Sequence, residues 1–483
     1  MAFVLSLGGV FGTGDNPVIF ARALLLTQTH SWSNFRYSTP NNSRTKCYAR
    51  SASIEELLRA PTRYLELNVK VATKITTTTA NGDFSLLTKT PTKKEEVLIS
   101  IPSPQTLSFV DDGNTAERKG KPTMLWFSQL SIDLHNLKQD PSPFFKTWLD
   151  SLPKTFSTPI HFDDKILETC TYRPIAEAVS NQKSEYRLQF NAIDHSKLKS
   201  PLSYDDFVWG VEIARSRAFS SKFVAPFDLK PFVFVCVFVA VYVGFGLGTI
   251  EQAANGCAFV LCGNILNTFV APSKLRYVIA PIVDLCNHSN NPTCDVAFEF
   301  FSDSFSLTAN SEMSSNSPVD ISYGERTNDQ LFLNYGFVIE DNDFDTYILP
   351  ALKDADIAAL ESKIGNEICA DRLLKLSEAN LLAGNIVLSK ENPKSFDPAV
   401  IQALRVLVSS DEEFESANKA IGGFFQFQVS EANEAKVNLC CKELLRAEVE
   451  AFRSGRGGDG NSLLRAFLAE KQKLLDHFVS KFI

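Results

Sequence analysis

The sequence predicts an α+β protein in which strand-rich and helix-rich stretches follow one another along the chain. Residues 61–107 and 276–345 contain short runs rich in Thr, Val and Ile between turn signals, which is typical of strands. Residues 122–220 and the chain after about Pro350 carry apolar residues at helical spacing. A length of 483 residues, with 44% hydrophobic and 22% charged residues, indicates a globular protein of two or three domains.

The strand signals are local and end at turn residues. Glu96–Pro102 alternates in a strand pattern and ends at a proline. Asn81-Gly82 lies between two strand-like runs and predicts a hairpin turn. Ser302–Ser304 separates Phe298–Phe301 from Phe305–Thr308, and this arrangement predicts a second hairpin.

The helix signals are caps followed by apolar spacing. Ser203 followed by Asp206 predicts an N-cap with an acid three positions on, and Asp397-Pro398 predicts another helix start. We therefore predict that residues 346–483 form an all-α second domain. Its last helix presents one apolar face, formed by Leu464, Phe467, Leu468, Leu475 and Phe478.

The composition limits the classes of partner and of metal site. The net charge is −8, and an acidic chain is a poor candidate for binding a nucleic-acid backbone, so we expect no nucleic-acid partner. The ten cysteines include no Cys-x-x-Cys pair, so no zinc or other metal site is predicted. Free thiols are typical of a reducing compartment such as the cytosol, nucleus or plastid stroma.

Residues 1–54 have the composition of a targeting segment. They contain seven serines, five basic residues and a single acid, Asp15. Such a basic, serine-rich and acid-poor stretch predicts a transit peptide and a plastid location. The alternatives are a disordered tail or a cleaved signal within Met1–Val10, with the cytoplasm or nucleus as the location.

Residues 231–250 are apolar and uncharged over a length that could span a membrane. Val and Phe dominate the run, which also contains Pro231 and three glycines, and this composition argues against a spanning helix. The preferred interpretation is an insertion over residues 228–275 that is buried or comes from a retained intron. A membrane-associated hairpin is the alternative.

Two polar clusters carry the candidate chemistry. The first, residues 281–289, contains Asp284, Asn287 and His288, and the second, residues 321–337, contains Tyr-Gly and Asn-Tyr-Gly-Phe segments. Taken singly, an Asn-His pair is more often a turn with satisfied hydrogen bonds, and a tyrosine is more often part of a core. Both clusters follow Ser216-Arg217-Ala218-Phe219 in the chain.

Together these motifs resemble the SET-domain methyltransferases, in the branch of the Rubisco large-subunit lysine methyltransferase. That branch also includes an actin histidine methyltransferase. The resemblance covers residues 60–483 apart from the insertion. It implies a mixed-β core over residues 55–345, with a pseudoknot between the two clusters and a helical insert at 122–220. It also implies that the helical residues 346–483 form a substrate-binding domain.

The resemblance implies S-adenosyl-L-methionine as the cofactor. Arg217 resembles the arginine that faces the cofactor carboxylate, and Asp284 resembles the aspartate that supports the Asn-His turn. The glycine-rich first cofactor motif of the family is missing, and only weak candidates replace it. The full predicted cofactor set is Asn287, His288, Arg217, Asp284, Gly82 and Leu86.

The resemblance also implies which aromatic residues surround the reacting atoms. Tyr323 resembles the tyrosine at the methyl-transfer centre, and Tyr335 resembles the second catalytic aromatic. Phe298, Phe300 and Phe337 are the predicted channel residues. The family has a tyrosine near position 298, so a phenylalanine there departs from the pattern. Methyl transfer needs an acceptor amine that is neutral and in line with the bond from sulfur to the methyl group. A dry aromatic channel favours the neutral amine and holds it in that position.

We therefore expect a protein-lysine methyltransferase whose helical domain docks a folded non-histone protein, such as Rubisco or another plastid enzyme. No cysteine-rich segment follows Phe337, and its absence favours a non-histone substrate. The alternatives are a histidine acceptor, or an inactive SET-fold protein that acts as a binding module or scaffold. Membrane association through residues 231–250 is not favoured.

Overall fold

The computed structural model gives an α+β architecture, which confirms the predicted fold class. Small β-sheets surround a first group of helices, and a second group of helices lies near the C-terminus. The structure describes residues 71–74, 85–111, 123–223, 274–299, 302–349, 386–390, 396–417, 425–454 and 461–482, with isolated positions at 237–251 and 360–376.

The described strands form five small sheets. Their orders are β1-β2, β3-β9-β8, β4-β6-β5, β7-β10 and β11-β12, and all pairs except β7-β10 are antiparallel. The strands are β1 (Val71–Lys74), β2 (Ser85–Thr88), β3 (Val97–Pro102), β4 (Leu107–Asp111), β5 (Phe219–Phe223), β6 (Lys274–Ile279), β7 (Asn287–His288), β8 (Cys294–Glu299), β9 (Ser304–Ala309), β10 (Asp320–Ile321), β11 (Thr346–Leu349) and β12 (Ile386–Ser389).

Several predicted strands and turns are confirmed. The strand predicted at Glu96–Pro102 is β3, and the hairpin predicted around Ser302–Ser304 joins β8 to β9. Asp303 occupies the turn with a positive φ of 44°, a conformation that aspartate tolerates better than most residues. The predicted turn at Asn81-Gly82 lies outside the described residues, although β1 and β2 on either side of it do pair.

Five helices occupy the predicted helical insert between residues 122 and 220. Ser203 caps the last of them, because its hydroxyl accepts a hydrogen bond from the Asp206 amide at 3.1 Å. The helices are α1 (Trp126–Gln139), α2 (Pro143–Ser151), α3 (Asp164–Glu168), α4 (Arg173–Ala192) and α5 (Tyr204–Arg217).

The region after residue 345 is mainly helical, but the expectation of helices alone is wrong at one place. β11 pairs with β12, and the alternating residues Tyr347, Leu349, Ile386 and Leu388 are buried. Each strand has only four residues, too short for its period to stand out. The described helices around this sheet are α6 (Asn328–Tyr335), α7 (Pro398–Val408), α8 (Asp411–Ala417), α9 (Glu431–Ser454) and α10 (Ser462–Phe482).

Two hydrophobic cores lie side by side. The first joins the sheets to the insert helices, and the second is built mainly from α7, α9 and α10. Tyr172 of the insert and Phe332 of α6 belong to the second core, so the packing continues across the predicted boundary at residue 345. The predicted apolar face of α10 is buried in full, at Leu464, Phe467, Leu468, Leu475 and Phe478.

Some predictions fall on residues that the structure does not describe. These are the transit peptide at 1–54 and most of the insertion at 228–275. Within the described residues, no helix has the length and apolar character needed to cross a membrane.

Helices α1 and α5 cross at Gly210, where their backbones come too close for a larger residue. A Cβ atom added at Gly210 would lie only 3.1 Å from the Cα of Ser131 and would overlap its hydroxyl. That hydroxyl instead donates a hydrogen bond to the Phe207 carbonyl at 2.8 Å. Because α5 ends at Arg217, this crossing fixes the position of the arginine.

Gly210→Ala should destabilise the protein by about 1–3 kcal/mol, because the new methyl group forces two packed helices apart. Urea unfolding of the variant and the wild type measures this difference. Gly244→Ala is the control, since a Cβ atom there meets no atom of the described residues within 4 Å. Equal stability of Gly210→Ala and wild type would contradict the close crossing.

Glu212 of α5 carries a buried carboxyl group, and its side chain is only 2% exposed. It accepts a hydrogen bond from the Thr158 hydroxyl and lies 3.8 Å from His161 Nε2. Burial raises the pKa of Glu212 to about 7, against the lowering effect of the Thr158 hydrogen bond. Burial also lowers the pKa of His161. Burial therefore favours the neutral form of both groups.

Glu212 should make the protein less stable as the pH rises from 4.5, the ordinary glutamate value, to about 7. Over this range the folded chain holds a proton that the unfolded chain has released, so unfolding becomes more favourable with rising pH. Glu212→Gln should gain stability relative to wild type as the pH rises through this window, measured by urea unfolding at several pH values. Glu177→Gln, at an exposed position of α4, is the control. A Glu212→Gln difference that does not change with pH would refute the raised pKa.

Candidate active site

Four aromatic rings from the two motif clusters lie against one another. The His288 and Tyr323 rings are stacked with centroids 5.1 Å apart, and Tyr323 and Tyr335 are stacked at 5.0 Å. The Phe337 ring lies 6.3 Å from His288 and 6.0 Å from Tyr335. We call His288, Tyr323, Tyr335 and Phe337 the aromatic cluster.

Parallel pairing of β7 with β10 brings the two motif clusters together. Asn287 is opposite Asp320, and His288 is opposite Ile321. The Ser289 amide continues the ladder by donating to the Ile321 carbonyl at 3.0 Å. The Tyr323 amide then donates to His288 Nδ1 at 3.1 Å, which ties the stacked rings together through the backbone.

Tyr323 is held through both its side chain and its backbone. Its hydroxyl donates to the Cys286 carbonyl at 2.8 Å, so the phenol proton is committed to that carbonyl. Arg326 Nε donates to the Tyr323 carbonyl at 3.0 Å. The phenol oxygen therefore has a fixed position and orientation.

Arg217 and Asp284 form a buried ion pair next to these motifs. Arg217 Nη1 donates to Asp284 Oδ2 at 2.9 Å and to the Asp284 carbonyl at 2.8 Å. The Trp148 indole N–H also donates to Oδ2, at 3.2 Å. The Asp284 side chain is fully buried and that of Arg217 is 12% exposed. Breaking such a pair costs about 3–5 kcal/mol, so its geometry is strongly constrained.

Helix α6 and the glycine after it position Tyr335 and Phe337. Thr327 and Gln330 form a capping box at its start, and Gly336 ends it in a left-handed conformation with φ of 73°. Arg215 of α5 donates from two nitrogens to Asn334 Oδ1, at 3.0 and 2.6 Å. Helix α5 therefore anchors both Arg217 and the end of α6.

The ionisable groups of the aromatic cluster are held in their neutral forms. Burial lowers the pKa of His288 to about 4. Burial raises the pKa of Tyr335, which the nearby Arg326 and Arg215 only partly offset. At neutral pH the imidazole is therefore unprotonated and the phenol protonated, which suits a pocket that holds a positively charged group over aromatic faces.

Of the remaining predicted site residues, Leu86 and Phe298 are described and Gly82 and Phe300 are not. Leu86 is buried in the first core, and its carbonyl accepts a hydrogen bond from the Val319 amide at 2.8 Å. Phe298 packs on Phe305 with centroids 5.1 Å apart and lies beneath the Arg276 guanidinium. Gly82 and Phe300 lie outside the described residues. In the described part of the chain, no group of His, Cys, Asp and Glu residues could hold a metal ion.

The sequence reasoning missed three residues that shape the site. Trp148 binds the Asp284 carboxylate, the Cys286 carbonyl accepts the Tyr323 hydroxyl, and Arg215 holds Asn334. Trp148 belongs to a helix with an ordinary apolar pattern, and a backbone carbonyl carries no sequence signal. The Ser216-Arg217 motif marked the end of α5. It did not indicate that Arg215, the neighbouring arginine of this helix, binds Asn334.

The fold is similar to solved structures of one enzyme. The SET domain of LSMT bound to lysine and AdoHcy matches with a TM-score of 0.55 and 15% identity, over 89% of this chain and 91% of that one. Rubisco LSMT bound to sinefungin and monomethyllysine matches with a TM-score of 0.55 and 16% identity over the same shares. Rubisco LSMT bound to AdoMet matches with a TM-score of 0.54 and 15% identity.

The curated relatives match this chain over only about half of their own length. A ribosomal lysine N-methyltransferase of Schizosaccharomyces pombe is 21% identical over 289 residues, which are 58% of this chain and 43% of the relative. An actin-histidine N-methyltransferase of Danio rerio is 20% identical over 383 residues, 73% of this chain and 55% of the relative. The chain thus spans about half the length of these relatives. No protein-family model matches the sequence. At these identities the structural likeness establishes the architecture: the described chain has the fold of the Rubisco LSMT structures.

Proposed function

We propose that this protein is an S-adenosyl-L-methionine-dependent protein methyltransferase with a lysine side chain as acceptor. The observation that carries the proposal is the aromatic cluster, in which Tyr323 is stacked between His288 and Tyr335 with its hydroxyl fixed on the Cys286 carbonyl. The fold is that of structures bound to AdoMet and to lysine, which supports the same reading.

The residues around Arg217 fit the amino-acid end of this cofactor. Within the described residues, the buried Arg217 Nε and Asp284 Oδ1 have no hydrogen-bond partner. A buried donor and a buried acceptor left unpaired are costly. A zwitterionic ligand would satisfy both, with its carboxylate held by Arg217 and its ammonium group by Asp284. His288 and Asn287 would hold the rest of the cofactor, as the motif resemblance implies.

When bound, the cofactor supplies a methyl group on a positively charged sulfur. The faces of Tyr323, Tyr335 and Phe337 stabilise a cation, and they also exclude water from the acceptor. Exclusion of water lowers the pKa of a lysine ammonium group, so the acceptor loses its proton before it reacts. The Tyr323 hydroxyl, fixed by its hydrogen bond to the Cys286 carbonyl, would orient the acceptor and the methyl group. Rate acceleration then comes from position and electrostatics.

The acceptor and the target protein are part of this proposal. Lysine is supported by the ribosomal lysine methyltransferase and by the lysine-bound LSMT structures. Histidine is the second candidate, because the actin-histidine enzyme aligns over the larger share of this chain, 73%. We propose a folded, non-histone protein as the substrate, docked by the helices after residue 346, with Rubisco or another plastid enzyme as the first target to test.

Tyr323→Phe should lower the rate of methyl transfer by about 10²-fold, because it removes the hydroxyl that is fixed on the Cys286 carbonyl. The measurement is incorporation of labelled methyl groups from S-adenosylmethionine into a soluble extract of the source cells, followed by mass spectrometry of the labelled band. Cofactor affinity should change little, since Arg217, Asp284 and His288 are untouched. Tyr204→Phe, at the start of α5, is the control and should behave as wild type.

Each outcome separates the candidates. Label on lysine supports the first proposal, and label on histidine replaces it with the second. Cofactor binding without any transfer, or neither binding nor transfer, would instead favour a SET-fold binding module or scaffold. A Tyr323→Phe variant as fast as wild type would remove Tyr323 from the mechanism.

A further inference from the structure

We infer that Lys471, in the last helix α10, is a positioning residue that holds the helix carrying Tyr335 in place for methyl transfer. The inference rests on the proposed function, and it assigns to the C-terminal helix a part in the active site besides any part in substrate docking.

Lys471 is a fully buried lysine with all of its hydrogen-bonding capacity used. Its ammonium group contacts the Asp329 carboxylate, donates to Asp345 Oδ1 at 2.9 Å and donates to the Thr346 carbonyl at 2.8 Å. The side chain is 0% exposed. A lysine ammonium has three hydrogens, and these three acceptors match them. Burial of the charge is tolerable only in this arrangement.

One of these partners belongs to the start of α6, and a second is hydrogen-bonded to it. Asp329 lies in the first turn of α6. Asp345 Oδ1 accepts not only from Lys471 but also from the Asn328 amide, the first amide of α6, at 2.8 Å. Lys471 thus contacts the N-terminal turn of α6 directly through Asp329 and indirectly through Asp345. Tyr335 lies six residues after Asp329, about 9 Å along the same helix.

A second set of bonds returns from the far side of Tyr335 to the same point. The buried Asn328 side chain donates to the Ile339 carbonyl at 2.9 Å and accepts from the Ile339 amide at 3.0 Å. Asn342 donates to the Arg326 carbonyl at 2.8 Å. The segment from Asn328 to Ile339, which carries Tyr335 and Phe337, is therefore closed at its two ends, beside the Lys471 cluster.

Apolar packing joins the same two helices. Phe332 of α6 stacks on Phe467 of α10 with ring centroids 4.5 Å apart and an angle of 17°. The Lys471 ammonium lies 5.3 Å from the ring centroids of both Phe467 and Tyr172. Phe467 precedes Lys471 by one helical turn, so a single face of α10 supplies the stacking ring and the cation.

The position of Lys471 predicts a selective effect on the reaction. Its contacts reach the segment with Tyr335 and Phe337, whereas Arg217 and Asp284 are held by α5 and Trp148. Loss of Lys471 leaves two carboxylates facing each other without their cation, and the first turn of α6 must shift. We therefore expect a loss in the maximal rate with the cofactor affinity retained.

The test compares Lys471→Met with wild type in the full chain. At saturating S-adenosylmethionine, the rate of methyl incorporation into the soluble extract should fall at least about tenfold, since small misplacements of reacting groups are costly. The KM and the Kd for S-adenosylmethionine should stay within about twofold of wild type. Hydrogen exchange of the peptide covering residues 328–339 should become faster, and that of residues 204–217 should not change.

Two further variants complete the comparison. Lys473→Met is the matched control, because Lys473 lies on the same helix with a side chain 49% exposed and pairs only at the surface with Glu470 and Glu340. It should behave as wild type. Lys471→Met with Asp329→Asn restores the formal charge of the cluster and should recover folding stability while the maximal rate stays low.

The outcomes distinguish this inference from the proposed function. A folded Lys471→Met variant with the wild-type rate, or one whose cofactor affinity falls with its rate, would overturn the positioning role. If Lys471→Met does not fold, the double variant decides, and a wild-type rate there would overturn the role. If wild type itself neither binds cofactor nor transfers methyl groups, the proposed function fails. In that case hydrogen exchange of residues 328–339 in Lys471→Met is the remaining test, and exchange as slow as in wild type overturns the inference.

Discussion

The candidate site depends on the parallel pairing of two very short strands, β7 and β10. Parallel strands need a long connection, and here the β8-β9 hairpin lies within residues 289–319 between them. Two residue pairs alone are a weak ladder, so side chains reinforce it. The Thr293 hydroxyl accepts from the Asp320 amide at 2.9 Å, and His288 Nδ1 accepts from the Tyr323 amide. If this pairing slipped by one residue, His288 and Tyr323 would no longer stack.

Buried charges surround that pairing and fix the neighbouring helices. Arg217 with Asp284 fixes the end of α5, and Lys471 with Asp329 and Asp345 fixes the start of α6. Such pairs gain little stability over well-packed apolar residues, because desolvation offsets the attraction. Their value is geometric, since each accepts only a narrow range of distances and angles. Both pairs end beside the aromatic cluster, where small displacements matter most.

Local chemistry made much of this architecture predictable from the sequence. Helix caps at Ser203 and Asp397, the β8-β9 hairpin and the buried face of α10 are set by neighbouring residues, and the sequence identified each of them. The partners of buried charges could not be predicted in the same way. Lys471 is 142 residues from Asp329 in the chain, and a lysine in a helical pattern normally indicates an exposed face. The β11-β12 sheet was missed because its four-residue strands are too short to show a period and lie far apart in the chain.

The same contacts explain why the two cores form one functional unit. A cut at the predicted boundary, residue 345, would separate Asp345 from Thr346, although Lys471 binds both. It would also remove Phe467, on which Phe332 of α6 stacks, and expose Tyr172 of the insert. The sheets alone retain His288 and Tyr323, but the placement of Tyr335 depends on α10. The stack of His288, Tyr323 and Tyr335 therefore includes a ring that the C-terminal helices help to place.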